Sequence, residues 1–446
     1  MSCRARAQAI GVGLAPGLAQ CLAQCLAQCL AQRLAQCLAP GLALCLALGA
    51  GRLAAQPAGD SLVISVLTMG PGRAVYERFG HISIRVHDLR TGMDSAYNWG
   101  MFDFSQPRFL QRFLTGDTRY WMEGFPTTLL VDAYRRDGRW VVEQELALTR
   151  VQADSLWRFI RWNAREENRW YRYDYYLDNC STRVRDVLDL VLGGAIRRQV
   201  TALEHGVSFR GETLRLAAAH PLLNFGMDFA LGPRADATIS AWEEMFVPMR
   251  VRALLREVRV RGADGVAPLV RAERQLVLDD RYAERTTPPD LLWPALAAGL
   301  GVAAMLLLLA LIAERSAAAR WGIGVIAVGW HAAAGVSGLL LLAAGLFTRH
   351  VFMGQNPNVL LATPVSLALA VLVPLTLAWP ARERLRRAVR ALAVLATACA
   401  LAALALRFVP SLAQENRPLL ALALPIHGAL ALALWRATRA RAGGGA

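Results

Sequence analysis

Tyr173-Asp174-Tyr175-Tyr176-Leu177-Asp178-Asn179-Cys180-Ser181-Thr182-Arg183 contains the one cysteine found between residues 56 and 290, and it leads straight into Val184, Val187, Leu188, Val191 and Leu192. Those apolar positions recur at helical spacing, so the run predicts an amphipathic helix over 181–193, entered from a polar turn. A thiol at a helix N-terminus stands among free backbone N–H groups and the positive end of the helix dipole. Both favour a thiolate and can hold an oxyanion. An inert, buried cysteine is the competing reading.

Upstream, the segments 61–68 (Ser-Leu-Val-Ile-Ser-Val-Leu-Thr), 81–87 (His-Ile-Ser-Ile-Arg-Val-His), 94–99 (Asp-Ser-Ala-Tyr-Asn-Trp) and 139–147 (Arg-Trp-Val-Val-Glu-Gln-Glu-Leu-Ala) read as strands. A helical run follows at 151–166. Strands followed by helices imply an α+β domain with an antiparallel sheet rather than a doubly wound one.

The chain of 446 residues is 55% hydrophobic with mean hydropathy +0.32, which calls for a membrane part beside a soluble one. Its net charge of +15 is unevenly spread: residues 56–290 hold 32 arginines against 31 acidic residues, and the excess flanks apolar segments. That distribution sets membrane topology and argues against nucleic acid as a partner. Every basic side chain is arginine, a compositional bias that leaves Arg-for-Lys choices without meaning.

Residues 1–55 read as a secretory signal or signal anchor: Arg4 and Arg6, an apolar body, then small residues, stretched by a Leu-Ala-Gln-Cys repeat from Leu18 to Cys37. Residues 56–290 are then an exported domain, with a single thiol and hence no internal disulfide. After Pro288-Pro289, apolar stretches at 291–313, 321–347, 359–379, 391–407 and 419–435 each approach the ~20 residues of a spanning helix. Arg382, Arg384, Arg386, Arg387 and Arg390, with Arg436, Arg439 and Arg441 in the tail, place those segments inside. The loops 348–358 and 408–418 then face outside with the exported domain. His331 and His427, inside spans, are expected to pair with neighbouring helices.

A thiol needs a base. His81 opens a strand after Phe79-Gly80, and His87, His205 and His220 compete with it. His87 shares the His81 face but lies about 20 Å along the strand. Asn98 is the best-placed group to orient the imidazole, with Tyr97 and Asp94 as alternatives. The loop Thr348-Arg349-His350-Val351-Phe352-Met353-Gly354-Gln355-Asn356-Pro357-Asn358 is either a phospholipid head-group site or a solvated turn.

Three stretches together resemble a known family: Phe79-Gly80-His81-Ile82-Ser83-Ile84-Arg85-Val86, Tyr97-Asn98-Trp99-Gly100-Met101-Phe102-Asp103-Phe104 and Tyr175–Asp186. They are similar to the Lnb N-terminal periplasmic domain, and Gly226–Gly232, Phe246-Val247-Pro248 and the His350 loop fit the same pattern. The order of His first and Asn-Cys second is also similar to permuted papain-like enzymes that carry acyl groups on a cysteine. The resemblance implies a permuted papain-like α+β domain, Cys180 as nucleophile, His81 as base and no cofactor or metal. It further implies a membrane-bound lipoprotein N-acyltransferase, with a phospholipid as acyl donor and a diacylglyceryl lipoprotein as acceptor. Asn98 joins the catalytic set as its expected third member. Asn179, Tyr176, His350, Asn356 and Asn358 are the expected substrate-binding residues. The expected location is the bacterial inner membrane, multi-pass, with residues 56–290 in the periplasm and 291–446 as the membrane domain. A papain-like cell-wall peptidase or amidase is the first rival, although one span would anchor it. A non-enzymatic scaffold or sensor is the second.

Overall fold

The computed structural model describes residues 62–262, 265–279 and 281–439; the leader, 1–55, lies outside them. Among the described residues there are nine strands: β1 (Leu62–Met69), β2 (His81–Asp88), β3 (Met93–Met101), β4 (Arg119–Pro126), β5 (Val141–Leu146), β6 (Trp170–Arg172), β7 (Arg259–Gly262), β8 (Gly265–Pro268) and β9 (Val270–Val277). Seven form one sheet in the order β6-β4-β3-β2-β1-β5-β9, every pair antiparallel, and β7-β8 form a hairpin. The four strands expected from alternation are all present, and β4, β6 and β9 extend the sheet on both sides.

Nine helices accompany the sheet: α1 (Phe109–Thr115), α2 (Thr127–Arg136), α3 (Arg150–Asn163), α4 (Cys180–Val191), α5 (Ala195–Val200), α6 (Phe209–Leu216), α7 (Pro221–Ala230), α8 (Ala241–Glu244) and α9 (Pro248–Leu255). The period-2 pattern of β2 divides its residues between two layers. Ile82, Ile84 and Val86 are fully buried with Leu156 and Ile160 of α3 and Val184, Val187 and Leu188 of α4. Each such side chain contributes about 1.5–3 kcal/mol. His81, Ser83 and Arg85 face the opposite layer. There the His81 ring stacks on Tyr134 of α2, 6.4 Å between centroids, and Arg85 bridges Asp94 and Glu143 at 2.6 Å each.

Among the described residues, five helices are long and apolar enough to cross a membrane: Leu292–Ile312, Ala317–Phe347, Asn358–Ala378, Glu383–Leu406 and Arg417–Ala437. They match the expected stretches one for one. Their ends alternate consistently. Arg439 pairs with Glu314 and Arg390 donates to Thr438 on one side. On the other, loops 348–357 and 407–416 meet the sheet domain. The third span is interrupted after Leu361 and restarts at Ser366. Irregular backbone at such depth must be satisfied from within the protein, and His427 does this by donating from Nε2 to the Leu361 carbonyl at 3.0 Å. His331 pairs with Ser366 at 3.3 Å. Both intramembrane histidines thus engage neighbouring segments, as expected.

Candidate active site

The start of α4 is fixed by its own side chains. Asn179 is the N-cap: its Oδ1 accepts from the Thr182 amide at 3.0 Å, and Thr182 Oγ1 accepts from the Asn179 amide at 2.8 Å. The preceding turn is held by Asp174 Oδ1, which accepts from the amides of Tyr176 and Leu177 at 2.9 Å each. Cys180 is the first helical residue and a free thiol. The backbone of Ile82, Ser181 and Cys180 itself and the Ser181 side chain favour its thiolate form. Ser181 Oγ is buried and has no hydrogen-bond partner.

His81 opens β2 and precedes Ile82, whose backbone is among the groups that act on the Cys180 thiol. In the β2–β3 register Asn98 is opposite Ser83, two residues on from His81 and on the same face. Asn98 Nδ2 donates to the Ala96 carbonyl at 3.0 Å, which turns Oδ1 toward His81 Nε2, also at 3.0 Å. An amide oxygen only accepts, so Nε2 carries the proton and Nδ1 is left as the basic nitrogen of the ring. Gly80, with φ of +74°, allows this turn into β2: a Cβ there would lie 2.8 Å from the Met69 carbonyl oxygen and from Met249 Sδ.

Electrostatics keep the pair neutral at rest. Burial lowers His81 to about 4; the Asn98 hydrogen bond opposes the shift and the Arg139 charge adds to it. Burial raises Cys180 to about 11, against the pull of the surrounding amides. The expectation that the helix N-terminus would depress the thiol is therefore corrected: desolvation outweighs the dipole and the hydrogen bonds. The site holds a thiol and an imidazole rather than an ion pair.

The other expected bases are engaged elsewhere. His205 pairs with Glu244 at 2.8 Å, His220 bonds the Arg73 carbonyl at 3.2 Å, and His87 stands six residues along β2. Among the expected orienting groups, Asp94 is taken by Arg85 and Thr127. Tyr97 packs with Trp157.

Each of the expected substrate-binding residues has partners within the protein. Tyr176 is 4% exposed among Phe209, Phe246 and Phe352, with its hydroxyl 2.6 Å from Thr213 Oγ1. Asn179 spends its amide nitrogen on the Tyr175 and Phe246 carbonyls. Asn356 and Asn358 are buried and donate to carbonyls at the end of α7: Asn356 to Ala230 at 2.9 Å, Asn358 to Phe229 at 2.9 Å. Asn416 donates to Asn358 Oδ1 at 2.8 Å, and Gln414 to the Leu231 carbonyl at 2.7 Å. These amides satisfy the open carbonyls of a helix C-terminus and pin the sheet domain to the spans. His350 lies at α1, 3.0 Å from the Phe113 carbonyl, with its ring stacked on Tyr175.

Two tyrosines absent from the expected set meet Cys180 around Gly100. A Cβ on Gly100 would lie 3.6 Å from Cys180 Cβ, 3.7 Å from the Tyr173 ring and 3.9 Å from the Tyr171 hydroxyl. Tyr171 Oη is buried without a partner, under the Arg183 guanidinium 4.2 Å above its ring. The alternation Tyr171-Arg172-Tyr173 was the sequence signal for both, since it puts two rings on one face of a strand. Among the described residues no cluster of three or more His, Cys, Asp or Glu side chains is arranged to hold a metal ion.

No curated protein and no solved structure matches the chain. A family match does exist, and it covers β1 to β6, α4 and both Cys180 and His81: residues 52–218 match the Lnb N-terminal periplasmic domain, and a region with five candidate membrane helices follows them.

Proposed function

We propose that the chain is a membrane-bound lipoprotein N-acyltransferase that carries an acyl group on Cys180. The observation that supports this most is the hydrogen-bonded Asn98–His81 pair on strands against which the Cys180 helix packs, in a domain hydrogen-bonded to the ends of membrane spans. His81 Nδ1 takes the thiol proton as sulfur attacks the ester carbonyl of a membrane phospholipid. The carbonyl carbon–oxygen bond to glycerol breaks, His81 returns the proton to the leaving alkoxide, and a lysophospholipid departs. The α-amine of a lipoprotein's lipidated N-terminal cysteine then attacks the thioester, and its proton returns through His81 to sulfur. The amides of Cys180 and Ser181 hold the oxyanion in both steps, with the Tyr171 hydroxyl as a further donor. A neutral pair suits this cycle, because the base is unprotonated when the substrate arrives. The neutral exported domain and the multi-pass anchor fit a bacterial inner-membrane enzyme with its site on the periplasmic side.

The test is mass spectrometry of lipoprotein N-termini from cells with and without the chain. The reading expects an N-acyl group that depends on the chain and adds one acyl mass to the acceptor. Unchanged N-acylation on deletion overturns it. N-acylation at constant total mass overturns the phospholipid donor, because the acyl chain then comes from the lipoprotein's own ester. Loss of a peptide-cleavage product instead would favour the hydrolase reading.

A further inference from the structure

Aromatic rings run without a break from the Cys180 site to an exposed apolar edge. Tyr173, beside Cys180, stacks on Tyr120 at 4.4 Å, and Tyr120 on Phe102 at 5.2 Å. Phe102 meets Phe104 at 5.0 Å and Tyr76 at 5.7 Å; Phe104 meets Phe109 at 5.1 Å, and Phe109 meets Phe113 at 6.3 Å. The outer members are open: Phe104 is 64% exposed, Tyr76 59% and Phe113 50%, alongside Leu110 at 67% and Leu114 at 60%. Four of these five lie within residues 104–114, more than scattered surface hydrophobicity, and Tyr76 joins them through the Phe102 and Phe104 rings.

Where this edge lies decides what covers it. Helix α1 is fixed to the outer end of the second span: the Arg349 amide donates to the Thr115 carbonyl at 2.9 Å, and His350 Nε2 lies 3.0 Å from the Phe113 carbonyl. Gly116 ends α1 in a left-handed conformation, and Arg349 packs so closely that a Cβ on Gly116 would come within 3.2 Å of it. The span ends at Phe347, itself 80% exposed, two residues before that contact. The apolar edge is therefore at the level where hydrocarbon gives way to head groups, with Arg108 and Arg112 on the same helix and its cap. An apolar face with arginines beside it, held at that depth, is the pattern of an interfacial helix.

We propose that the 102–114 segment with Tyr76 is seated in the outer leaflet, and that the ring track from Phe113 to Tyr173 takes one acyl chain of a diacyl phospholipid from the bilayer to the Cys180 sulfur. The route rests on the acyl-transfer reading; the seating in the leaflet does not. A chain lying along the rings keeps its methylenes out of water while its ester reaches the sulfur, and the arginines meet the phosphate at the mouth. The track thus selects for a long-chain lipid in a membrane over a short or water-soluble ester.

A phosphatidylcholine with a diazirine on its sn-2 chain, in vesicles holding the full chain, is the direct probe. After irradiation, adducts mapped by peptide mass spectrometry are expected on residues 102–114 and on Tyr173 as well as on the five spans. Adducts confined to the spans overturn the proposal, whether or not Cys180 is ever acylated. The double variant L110D/L114D is the second arm. It is expected to lower Cys180 acylation from vesicle phospholipid by about ten-fold or more, with iodoacetamide labelling of Cys180 within about two-fold of the parent at equal protein level. Undiminished acylation overturns the route, and parent-like labelling shows that the sheet domain is folded. A parent chain that shows leaflet adducts but no acylation contradicts the acyl-transfer reading alone.

Discussion

Titrating Cys180 with a thiol reagent separates a neutral resting pair from a thiolate–imidazolium pair. With the thiol raised to about 11 by burial, only about 1 in 3,000 Cys180 side chains is ionised at pH 7.5. At the ordinary value of 9.0 the fraction would be about 1 in 30. The more basic thiolate is also the better nucleophile, with a Brønsted slope of about 0.4–0.5, which returns up to about ten-fold of that deficit. Alkylation at neutral pH should therefore run about ten-fold below that of an ordinary cysteine, before any steric effect. The rate should climb about ten-fold per pH unit and show no plateau below about pH 10. The assay is iodoacetamide labelling of detergent-purified chain between pH 6 and 10.5, quantified on the peptide that carries Cys180 so that the other cysteines do not interfere. A plateau already reached below pH 8 would mean that the helix N-terminus and His81 hold a thiolate, and the electrostatic account would be wrong.

Further outcomes follow from the same geometry. Asn98→Ala frees the His81 ring from its tautomer and should reduce turnover by about 10- to 100-fold at unchanged protein level; activity within two-fold of the parent would remove Asn98 from the site. His81 is held neutral, with a folded value of about 4 against an ordinary 6.5, so between those pH values the unfolded chain binds more protons. Its contribution is fully present above pH 6.5 and falls by about 3 kcal/mol toward pH 4; a His81→Gln chain should lose less stability across that window in denaturant titrations, and an equal loss would contradict the burial account. Asn358→Ala takes one of two donors from the Phe229 carbonyl, which keeps Asn356 at 3.2 Å, and leaves the buried Asn416 side-chain amide without its acceptor, the latter costing about 1–3 kcal/mol. Easier proteolysis between the sheet domain and the spans is expected, whereas a raised KM with unchanged protease resistance would restore Asn358 as a substrate ligand.

How far the sequence could be read depended on the range of the interaction. Period-2 alternation in β1, β2, β3 and β5 and the helical stripe after Cys180 are local patterns, and each produced the element it implied. The apolar stretches and their arginine flanks located all five spans for the same reason. Strand β4 escaped because Gly124 and Pro126 interrupt its pattern, while its Tyr120 and Met122 are core residues only once β3 and β6 flank it. Strand β9 escaped because its outward arginines find acids only across the sheet, Arg274 to Glu143 and Arg271 to Glu145. At the candidate site, the His81–Asn98 hydrogen bond and the place of Cys180 at a helix start were legible because they arise from two adjacent strands and one capped turn. Asn356, Asn358 and Tyr176 were not: their partners lie far away in the chain, and an amide donating to a helix-end carbonyl looks in sequence like one awaiting a ligand. The thiol's pKa was misjudged for a related reason, since a helix start is visible in the sequence and burial is not.

The central claim is that Cys180 carries the acyl group. Purified chain, incubated with diacyl phospholipid vesicles in the absence of acceptor and digested in acid, tests it directly. The account predicts one acyl mass on the peptide with Cys180, removed by neutral hydroxylamine and greatly diminished in His81→Ala. An unmodified Cys180 under conditions where the same preparation N-acylates an added lipoprotein would contradict it, as would a Cys180→Ser chain that transfers acyl groups at the parent rate.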